Sequence, residues 1–335
     1  MNHWTRKKLF IGTHSIAMTL VLFLLCMAPA ASVAAAEQVK VAENISISMN
    51  GEVVELNDPL LLKEKRLFVP VASVAKLFGG KAEWNGDNQE VTVKTTLGDS
   101  IVFGVDIPIV YFNEGRYVLE DLPFLEAGRM YLPLRQAAEL MHATVKWDEE
   151  ARVAELVAVP LAVISEEYGF ADAVKEHGFS EQELLQRNGL ESEDSIEAGA
   201  KLRVVVPSVL DNEAKPFTEE EFMLLAKLTQ VESGYESYEG QLGVANVVLN
   251  RVKDSRFPGT IRDVIYSGRQ FPPAHNGLLD KSKPNKSVLR AAKDALNGKN
   301  NVEGALYFHN PKVSKGKFWS SLDSVVTIGN HRFAK

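Results

Sequence analysis

The sequence predicts an α+β protein built from several domains. Its 335 residues exceed one ordinary domain, which averages about 100–200 residues. A repeat indicates the first domain, because the segment RLFVP from Arg66 recurs 63 positions later as RMYLP from Arg129. Two further regions each carry their own helix-start signals and apolar stripes. We therefore predict a two-repeat α+β module, a small βααβ module and a mainly helical domain, in that order along the chain.

Composition and charge restrict the class of function. Hydrophobic residues make up 45% and charged residues 24%, which is an ordinary globular balance. The formal net charge of -7 argues against nucleic-acid binding, since that function needs a basic surface. The chain has no P-loop, no paired CxxC spacing for zinc and no G-x-S-x-G nucleophile elbow. We therefore expect no nucleic-acid partner, no cofactor and no bound metal.

The N-terminus has the three parts of an export signal. Residues 6–8 are positively charged, residues 16–27 are nearly all apolar, and three alanines at 34–36 supply small residues for cleavage. We predict a signal peptide over residues 1–36, with Glu37 as the first residue of the mature chain. An uncleaved membrane anchor is the alternative. Cleavage predicts an exported protein without a stable membrane anchor.

Residues 37–157 form the repeat region. Each copy predicts a short strand, an apolar helix over 71–78 or 134–141, and a strand that contains a tryptophan. Asn-Gly pairs predict turns of type I′ character at 50–51 and 85–86. Two copies that each expose one apolar face can bury those faces against each other. The spacing of 63 residues also holds for three further pairs: Ala75 and Ala138, Leu77 and Leu140, Trp84 and Trp147.

Three features of the first copy are typical of a known module: Asn50-Gly51, Arg66 with Pro70, and Gly80 with Trp84. They resemble the N-terminal domain first seen in copper amine oxidases, a non-catalytic module common on exported bacterial proteins. The second copy departs at His142-Ala143, where a glycine would be expected. Copper is not implied, because copper sites use imidazoles and His142 is the only histidine between residues 37 and 157. We interpret the region as a spacer or interaction module.

Residues 158–210 predict the small βααβ module. A helix is expected over 171–177, and a capping box from Ser180 to Glu183 opens a second helix. Asn188-Gly189 ends that helix, and residues 202–206 alternate as in a strand.

This order resembles a LysM module, which implies binding to glycans that contain N-acetylglucosamine. The matching residues are Ser180, Leu184, Asn188, Gly189, Leu190, Ile196, Gly199, Leu202, Val206 and Pro207. The first loop departs from the family at residues 168–171, so a scaffold without its ligand is the alternative.

Residues 217–335 carry the candidate chemistry. A capping box from Thr218 to Glu221 predicts a helix with an apolar stripe, and Glu232 falls on that stripe. Ser233-Gly234 should end the helix, because glycine readily takes the left-handed closing conformation. Burial should then raise the pKa of Glu232, as a general acid for glycosidic bonds requires. A buried ion-pair partner is the alternative interpretation of this residue.

Several motifs occur in order from residue 231 onward, and the first of them contains Glu232. They lie at 231–241, 244–251, 257–258, 264–266, 270–271, 276–277, 305–311, Trp319 and 328–333. Over about 115 residues they resemble the spore cortex-lytic (SleB-type) cell-wall hydrolase family. The resemblance implies a lysozyme-like fold related to lytic transglycosylases and a single catalytic glutamate at Glu232. The chain departs from the family after Glu232, where Gly234-Tyr235 replaces the usual Arg-Gly.

The motifs also supply candidate substrate-binding residues, since aromatic and amide side chains suit carbohydrates. The candidates are Glu236, Gln241, Tyr266, Gln270, Phe271, Tyr307, His309 and Asn310.

A single catalytic carboxyl favours lytic transglycosylation of peptidoglycan glycan strands, with Glu236 or Glu239 as a second carboxylate if hydrolysis occurs. Two alternatives stay open. A metal-dependent amidase would use His275, His309 and His331, and a non-catalytic wall-binding protein would have a degenerate site. Spore cortex and vegetative wall both stay open as the substrate, as does a regulatory protein partner.

Overall fold

The computed structural model describes residues 39–268 and 270–335. The predicted signal peptide lies outside these residues. Residues 39–335 form one compact unit. Within the described part of the chain, no helix is long and apolar enough to cross a membrane.

The N-terminal module contains three antiparallel or mixed sheets and two short helices. Its helices are α1 (Val71–Leu77) and α2 (Leu134–Leu140). Its strands are β1 (Lys40–Val41), β2 (Ser46–Met49), β3 (Glu52–Val54), β4 (Leu61–Lys63), β5 (Arg66–Pro70), β6 (Lys81–Asn85), β7 (Glu90–Lys94), β8 (Ser100–Gly104), β9 (Ile109–Phe112), β10 (Gly115–Val118), β11 (Phe124–Glu126), β12 (Arg129–Pro133), β13 (Ala143–Asp148) and β14 (Val153–Ala158). The sheet orders are β1-β4-β5-β12-β11, β10-β9-β8-β7-β6 and β13-β14-β2-β3.

The two repeat copies meet as the sequence predicts. Strands β5 and β12 pair antiparallel, with Leu132 opposite Val69, and each strand leads directly into a helix. Both residues are buried, so the copies share one apolar layer. The departure at His142 has a conformational explanation. His142 has φ 62°, and Gly79, the residue 63 positions earlier, has φ 72°. His142 therefore adopts the left-handed conformation that a glycine takes in the first copy. Gly80, the glycine of the family feature, corresponds to Ala143, and a Cβ at Gly80 would lie 2.9 Å from Lys94 O.

One of the two predicted type I′ turns is present. Asn50 and Gly51 have φ of 55° and 80° and connect β2 to β3. The second prediction is wrong. Asn85 pairs with Glu90 across a loop of residues 86–89, and the left-handed residue is Gln89 (φ 52°), not Gly86. The Asn85 side chain stabilises this wider turn by accepting from the backbone N–H of Asn88 at 3.2 Å.

The middle module has the predicted βααβ order. It consists of β15 (Ala162–Val163), α3 (Phe170–His177), α4 (Glu181–Asn188) and β16 (Lys201–Leu202). The capping box at Ser180 is formed, and Gly189 ends α4 with φ 66°.

The predicted strand over 202–206 is wrong beyond Leu202. The side chain of Asn188 takes the place of a neighbouring strand, because it accepts from Arg203 N at 2.8 Å and donates to Arg203 O at 2.9 Å. The Arg187 side chain likewise donates to Val205 O at 2.9 Å.

The middle module shares its hydrophobic core with the N-terminal module. Leu184 and Leu202 belong to the same buried cluster as Val69 and Leu156. An ion pair between Arg187 and Asp99 at 2.8 Å crosses the boundary, and the two side chains are 0% and 3% exposed. Residues 39–210 therefore pack as one body.

The C-terminal domain is mainly helical, as predicted. Its helices are α5 (Glu219–Ser233), α6 (Tyr238–Lys253), α7 (Ile261–Tyr266), α8 (Leu278–Lys281), α9 (Lys286–Leu296) and α10 (Lys317–Ser321). A small sheet of order β17-β19-β18 covers one side and is formed by β17 (Tyr307–His309), β18 (Ser324–Ile328) and β19 (His331–Ala334). A separate core surrounds α6, whose residues Leu242, Ala245 and Val248 are 0% exposed.

The N-terminal module docks on α9 through polar contacts. Lys293 donates to Glu90 at 2.7 Å, and the Tyr111 hydroxyl donates to the side chain of Asn297 at 2.9 Å. Arg116 donates to the same Asn297 oxygen at 2.9 Å and to Leu296 O at 3.1 Å. These contacts attach the repeat module to the helix that also supports the candidate site.

Candidate active site

Glu232 lies in the last turn of α5. The helix begins with the predicted capping box at Thr218 and ends at Ser233. Leu225 and Leu228 are fully buried on the face that Glu232 shares, whereas Glu232 itself is half-buried. Burial raises the pKa of Glu232, and no ion pair or hydrogen bond from residues 39–268 or 270–335 opposes this rise. The described residues therefore contain no ion-pair partner for Glu232, which the alternative interpretation requires.

The loop after Glu232 closes differently from the prediction. Gly234 has φ -57° and ψ -22°, so the left-handed closure expected there is wrong. Glycine is needed for space instead, because a Cβ at Gly234 would overlap the side-chain amide of Gln230. Asn285 holds both the Gln230 side chain and the Gly234 backbone. Its backbone N–H donates to Gln230 Oε1 at 2.8 Å, and its side chain donates to Gly234 O at 3.3 Å.

Glu236 is bound to the turn between β18 and β19. The Asn330 side chain donates to Glu236 Oε1 at 2.9 Å, and the Asn330 backbone N–H donates to Oε2 at 3.3 Å. These hydrogen bonds lower the pKa of Glu236, with a smaller contribution from His331. Gly329 is left-handed at φ 57°, and a Cβ there would overlap the Glu236 carboxylate. The pKa values of Glu232 and Glu236 are thus displaced in opposite directions, because Glu232 is buried whereas Glu236 accepts hydrogen bonds from Asn330.

Gln241 supports the loop from inside the protein. Its side chain is 2% exposed, donates to Glu236 O at 2.9 Å and accepts from Ser287 Oγ at 2.6 Å. Because both ends of the amide are engaged, Gln241 holds the loop backbone and presents no free polar group to the surface.

Two predicted aromatic residues gather around a buried arginine. The Arg251 guanidinium lies 5.2 Å from the ring centre of Phe271 and 5.6 Å from that of Tyr307. Burial lowers the pKa of Arg251 to about 10. Phe271 is 2% exposed and therefore belongs to the core, whereas Tyr307 is half-buried and meets the exposed ring of Phe318 edge-on at 5.5 Å.

The other predicted residues occupy separate positions. His309 is buried with its ring 4.6 Å from Trp319, and the neighbouring Asn310 accepts from Lys312 N at 2.9 Å. Tyr266 lies edge-on to His275 with ring centres 6.3 Å apart. Gln270 is exposed.

Sequence reasoning missed three residues that form or hold the loop after Glu232: Asn285, Asn330 and Tyr235. Asn330 falls inside a motif that the sequence analysis singled out, but nothing in that motif indicated a carboxylate partner. Tyr235 is fully exposed between Glu232 and Glu236. Its position in a departing segment of the family motif was the available signal.

Within 39–268 and 270–335, no group of three or more His, Cys, Asp or Glu side chains is placed to hold a metal ion.

Comparison with known proteins defines the class of two segments. Residues 235–334 match the family model described as Cell Wall Hydrolase, and residues 48–156 match the model described as Copper amine oxidase N-terminal domain. The chain therefore carries a cell wall hydrolase domain and a copper amine oxidase N-terminal domain. The hydrolase match begins just after Glu232, at Tyr235.

Curated relatives are spore cortex-lytic enzymes. The chain is 34% identical over 119 residues to that of Bacillus cereus, which covers 36% of this chain and 46% of the relative. It is 33% identical over 129 residues to that of Oceanobacillus iheyensis, covering 38% and 46%. The chain thus spans about half the length of the curated relatives it matches. A solved catalytic domain of the germination-specific lytic transglycosylase SleB from Bacillus anthracis shares 33% identity over 36% of this chain and 99% of that one, with a TM-score of 0.35.

Proposed function

We propose that this protein cleaves the glycan backbone of peptidoglycan, with Glu232 as the general acid and base. The supporting observation is the environment of Glu232. It is a half-buried carboxyl with a raised pKa and without a hydrogen-bond or ion-pair partner in the described residues, and it lies three residues before the segment that matches the cell wall hydrolase model. The relatives act in spore cortex lysis by name, which supports a peptidoglycan substrate.

In the proposed reaction, protonated Glu232 donates its proton to the oxygen that bridges N-acetylmuramic acid and N-acetylglucosamine. The bond between this oxygen and muramyl C1 breaks, and the N-acetylglucosamine side leaves as an alcohol. The Glu232 carboxylate then removes the proton from the muramyl 6-hydroxyl, whose oxygen bonds to C1 and closes a 1,6-anhydro ring. Glu232 is protonated again at the end, so no water is consumed and no second catalyst is required.

The neighbouring carboxylates support ring closure over hydrolysis. Both oxygens of Glu236 accept hydrogen bonds from Asn330, and Glu239 Oε2 accepts from Asn301 at 2.9 Å. A base that activates water must face the sugar opposite the acid, whereas these two groups are committed to structural contacts. We therefore propose lytic transglycosylation, with hydrolysis as the alternative reaction at the same glutamate.

The amidase alternative receives less support from the positions of the histidines. His309 packs against Trp319, and His331 packs edge-on against Phe308 with ring centres 5.3 Å apart. Desolvation lowers the pKa of both histidines.

The remaining regions are proposed to serve this catalytic domain. We propose export through the predicted signal peptide over 1–36 and action in the cell wall outside the membrane. Residues 37–157 would be a non-catalytic module, and residues 158–210 a divergent LysM-like module, both associated with peptidoglycan. The catalytic domain would occupy residues 217–335.

The direct test is the substitution Glu232→Gln. The two side chains have nearly the same size, so the fold should be kept while the transferable proton is lost. We expect wall lysis to fall at least about 100-fold, since acid-base catalysis contributes about 10²–10⁴-fold. Glu239→Gln, an exposed acid on α6, is the matched control and should keep its activity. Normal lysis by a Glu232→Gln protein with an unchanged melting temperature would remove Glu232 from the mechanism.

A further inference from the structure

A cavity of about 630 Å³ lies in the N-terminal module, away from the catalytic domain. Its walls come from the β4–β5 hairpin, the start of α2 and strand β13. Its volume falls within the range of about 300–1,000 Å³ that is usual for ligand pockets. Neither the proposed reaction nor the module's packing requires a cavity at this place.

The internal repeat shows that the cavity wall is specialised. Residues 63 positions apart occupy equivalent places in the two copies. Trp147 on the cavity corresponds to Trp84, but Arg135 and Gln136 correspond to Ala72 and Ser73. The second copy therefore carries large polar side chains where the first copy has small ones.

Gln136 is the most unusual of these side chains. It is only 7% exposed, and its Oε1 has no hydrogen-bond partner in the described residues. Burying an amide oxygen without a partner is unfavourable, and such groups in folded proteins require a specific reason. A ligand that brings a donor into the cavity would supply the missing partner.

The acidic groups of the cavity are already engaged within the protein. Glu120 lies 3.4 Å from the guanidinium of Arg66, and Asp121 also pairs with Arg66. Glu139 accepts from the backbone N–H and the hydroxyl of Ser208 at 2.9 and 2.7 Å.

The basic groups, in contrast, are available. Lys65 and Arg135 line the same cavity, are exposed and form no ion pair with any residue in 39–268 or 270–335. The cavity lining as a whole has three basic side chains and three acidic ones, so its formal charge is balanced. Lys65 and Arg135 are the two cations that no acid engages, and their guanidinium and ammonium groups suit a ligand that bears a carboxylate.

Trp147 adds an aromatic surface to the cavity. Its side chain is 47% exposed, and its Nε1 donates to Glu149 Oε2 at 2.6 Å, which fixes the orientation of the indole. A fixed, half-exposed indole offers an apolar face that can pack against a pyranose ring.

We infer that this cavity binds a carboxylate-bearing, N-acetylated glycan segment as a second, non-cleaving site. The indole of Trp147 would pack against a sugar ring, the Gln136 amide would pair with an acetamido group, and Arg135 would bind the carboxylate. The choice of a glycan rests on the proposed function. Binding here would tether the enzyme to the strand and raise the local concentration of substrate at Glu232.

Indole N–H signals in a ¹⁵N-labelled protein report on the site directly. Residues 37–335 contain three tryptophans, Trp84, Trp147 and Trp319, whose signals can be assigned from single Trp→Phe variants. The background is Glu232→Gln, so that the glycan stays intact. Titration with a peptide-free tetrasaccharide that contains muramic acid should shift the Trp147 signal and leave the Trp84 signal unchanged.

Three ligands show which part of peptidoglycan the cavity recognises: the carboxylate, the sugar ring or the stem peptide. A tetramer of N-acetylglucosamine, which has no carboxylate, should bind at least about tenfold more weakly, the loss expected for one charge-assisted hydrogen bond. Arg135→Ala should weaken binding of the muramic-acid ligand to the same level. Isolated stem peptide should leave Trp147 unshifted, and a shift with the peptide alone would overturn the glycan assignment.

Trp147→Ala and Trp84→Ala form a matched pair, because both indoles are about half exposed, at 47% and 50%, and occupy equivalent repeat positions. Only Trp147→Ala should lower retention on insoluble peptide-free glycan. Equal retention of the two variants, or an unmoved Trp147 signal at millimolar glycan, would overturn the proposal. Wall lysis by the protein with Glu232 intact is measured separately, so loss of this site and loss of the proposed reaction give different results.

Discussion

The contact between Glu236 and Asn330 provides a sharp test of how the loop after Glu232 is held. Asn330→Ala removes the 2.9 Å hydrogen bond to Glu236 Oε1 and leaves the backbone contact in place. Hydrogen bonds to charged groups contribute about 1.5–3 kcal/mol, and the half-exposed position of Glu236 reduces this to about 1 kcal/mol. We expect a fall in melting temperature of about 2 °C.

The effect on catalysis should exceed this small loss of stability. Glu236 lies four residues after Glu232, so release of the loop misplaces the acid, and displacements of about 1 Å can cost about 100-fold in rate. We expect glycan cleavage to fall at least about tenfold. Asn301→Ala is the control, since Asn301 donates to the Glu239 carboxylate at the same 2.9 Å distance and also to Glu239 O at 2.9 Å.

Cleavage rates on solubilised glycan strands, measured for the two variants at equal folded fractions, decide the question. The control should lose at least as much stability and keep at least about half of its activity. Full activity of Asn330→Ala, or an equal loss in Asn301→Ala, would refute the idea that the β18–β19 turn positions Glu232.

Two further predictions concern the rest of the molecule. Residues 217–335 alone should fold and cleave soluble glycan, because the core around α6 is built from this segment. An insoluble or inactive protein would contradict this domain boundary. Weaker action on intact sacculi is expected, because the segment has lost its tethering modules. Burial lowers the pKa of His142 to about 4 in the folded state, whereas the unfolded chain binds this proton near pH 6.5. The folded state therefore loses stability as pH falls from about 6.5 towards 4, and the loss should reach about 2–3 kcal/mol between pH 7 and 4.5. Asn tolerates the left-handed backbone, so His142→Asn should abolish that part of the pH dependence in urea titrations, and an unchanged slope would exclude His142 as its source.

Patterns with short range allowed the most reliable predictions from the sequence. The repeat placed β5, α1, β12 and α2 within a residue or two, because strand, proline and apolar helix follow each other directly. Capping boxes at Ser180 and Thr218 fixed two helix starts, since each uses side chains only three residues apart.

Features that depend on tertiary contacts were not predictable. Residues 203–206 alternate like a strand, but the Asn188 side chain binds the backbone of Arg203 and the Arg187 side chain binds Val205 O. Gly234 reads as a left-handed cap, but the position of Gln230 explains the glycine. The docking of Glu90 against Lys293 leaves no sequence signal, because single surface charges carry no periodicity.

The same distinction applies to the candidate site. The raised pKa of Glu232 follows from its place on an apolar stripe, and the structure agrees in direction. The burial of Gln241 and Phe271 could not be foreseen, since amides and aromatics occur in both sugar grooves and cores.

The identity of the cleaved ends tests the proposed reaction most directly. Purified peptidoglycan would be digested with the protein, reduced with borohydride and analysed by mass spectrometry. With Glu232 as the only catalytic carboxyl, fragments should end in 1,6-anhydro-muramic acid, which borohydride does not reduce. Fragments that end mainly in reducible muramic acid, each heavier by one water, would contradict transglycosylation and leave Glu232 as the acid of a hydrolase. Release of stem peptides from glycan that stays uncut would contradict glycan cleavage altogether.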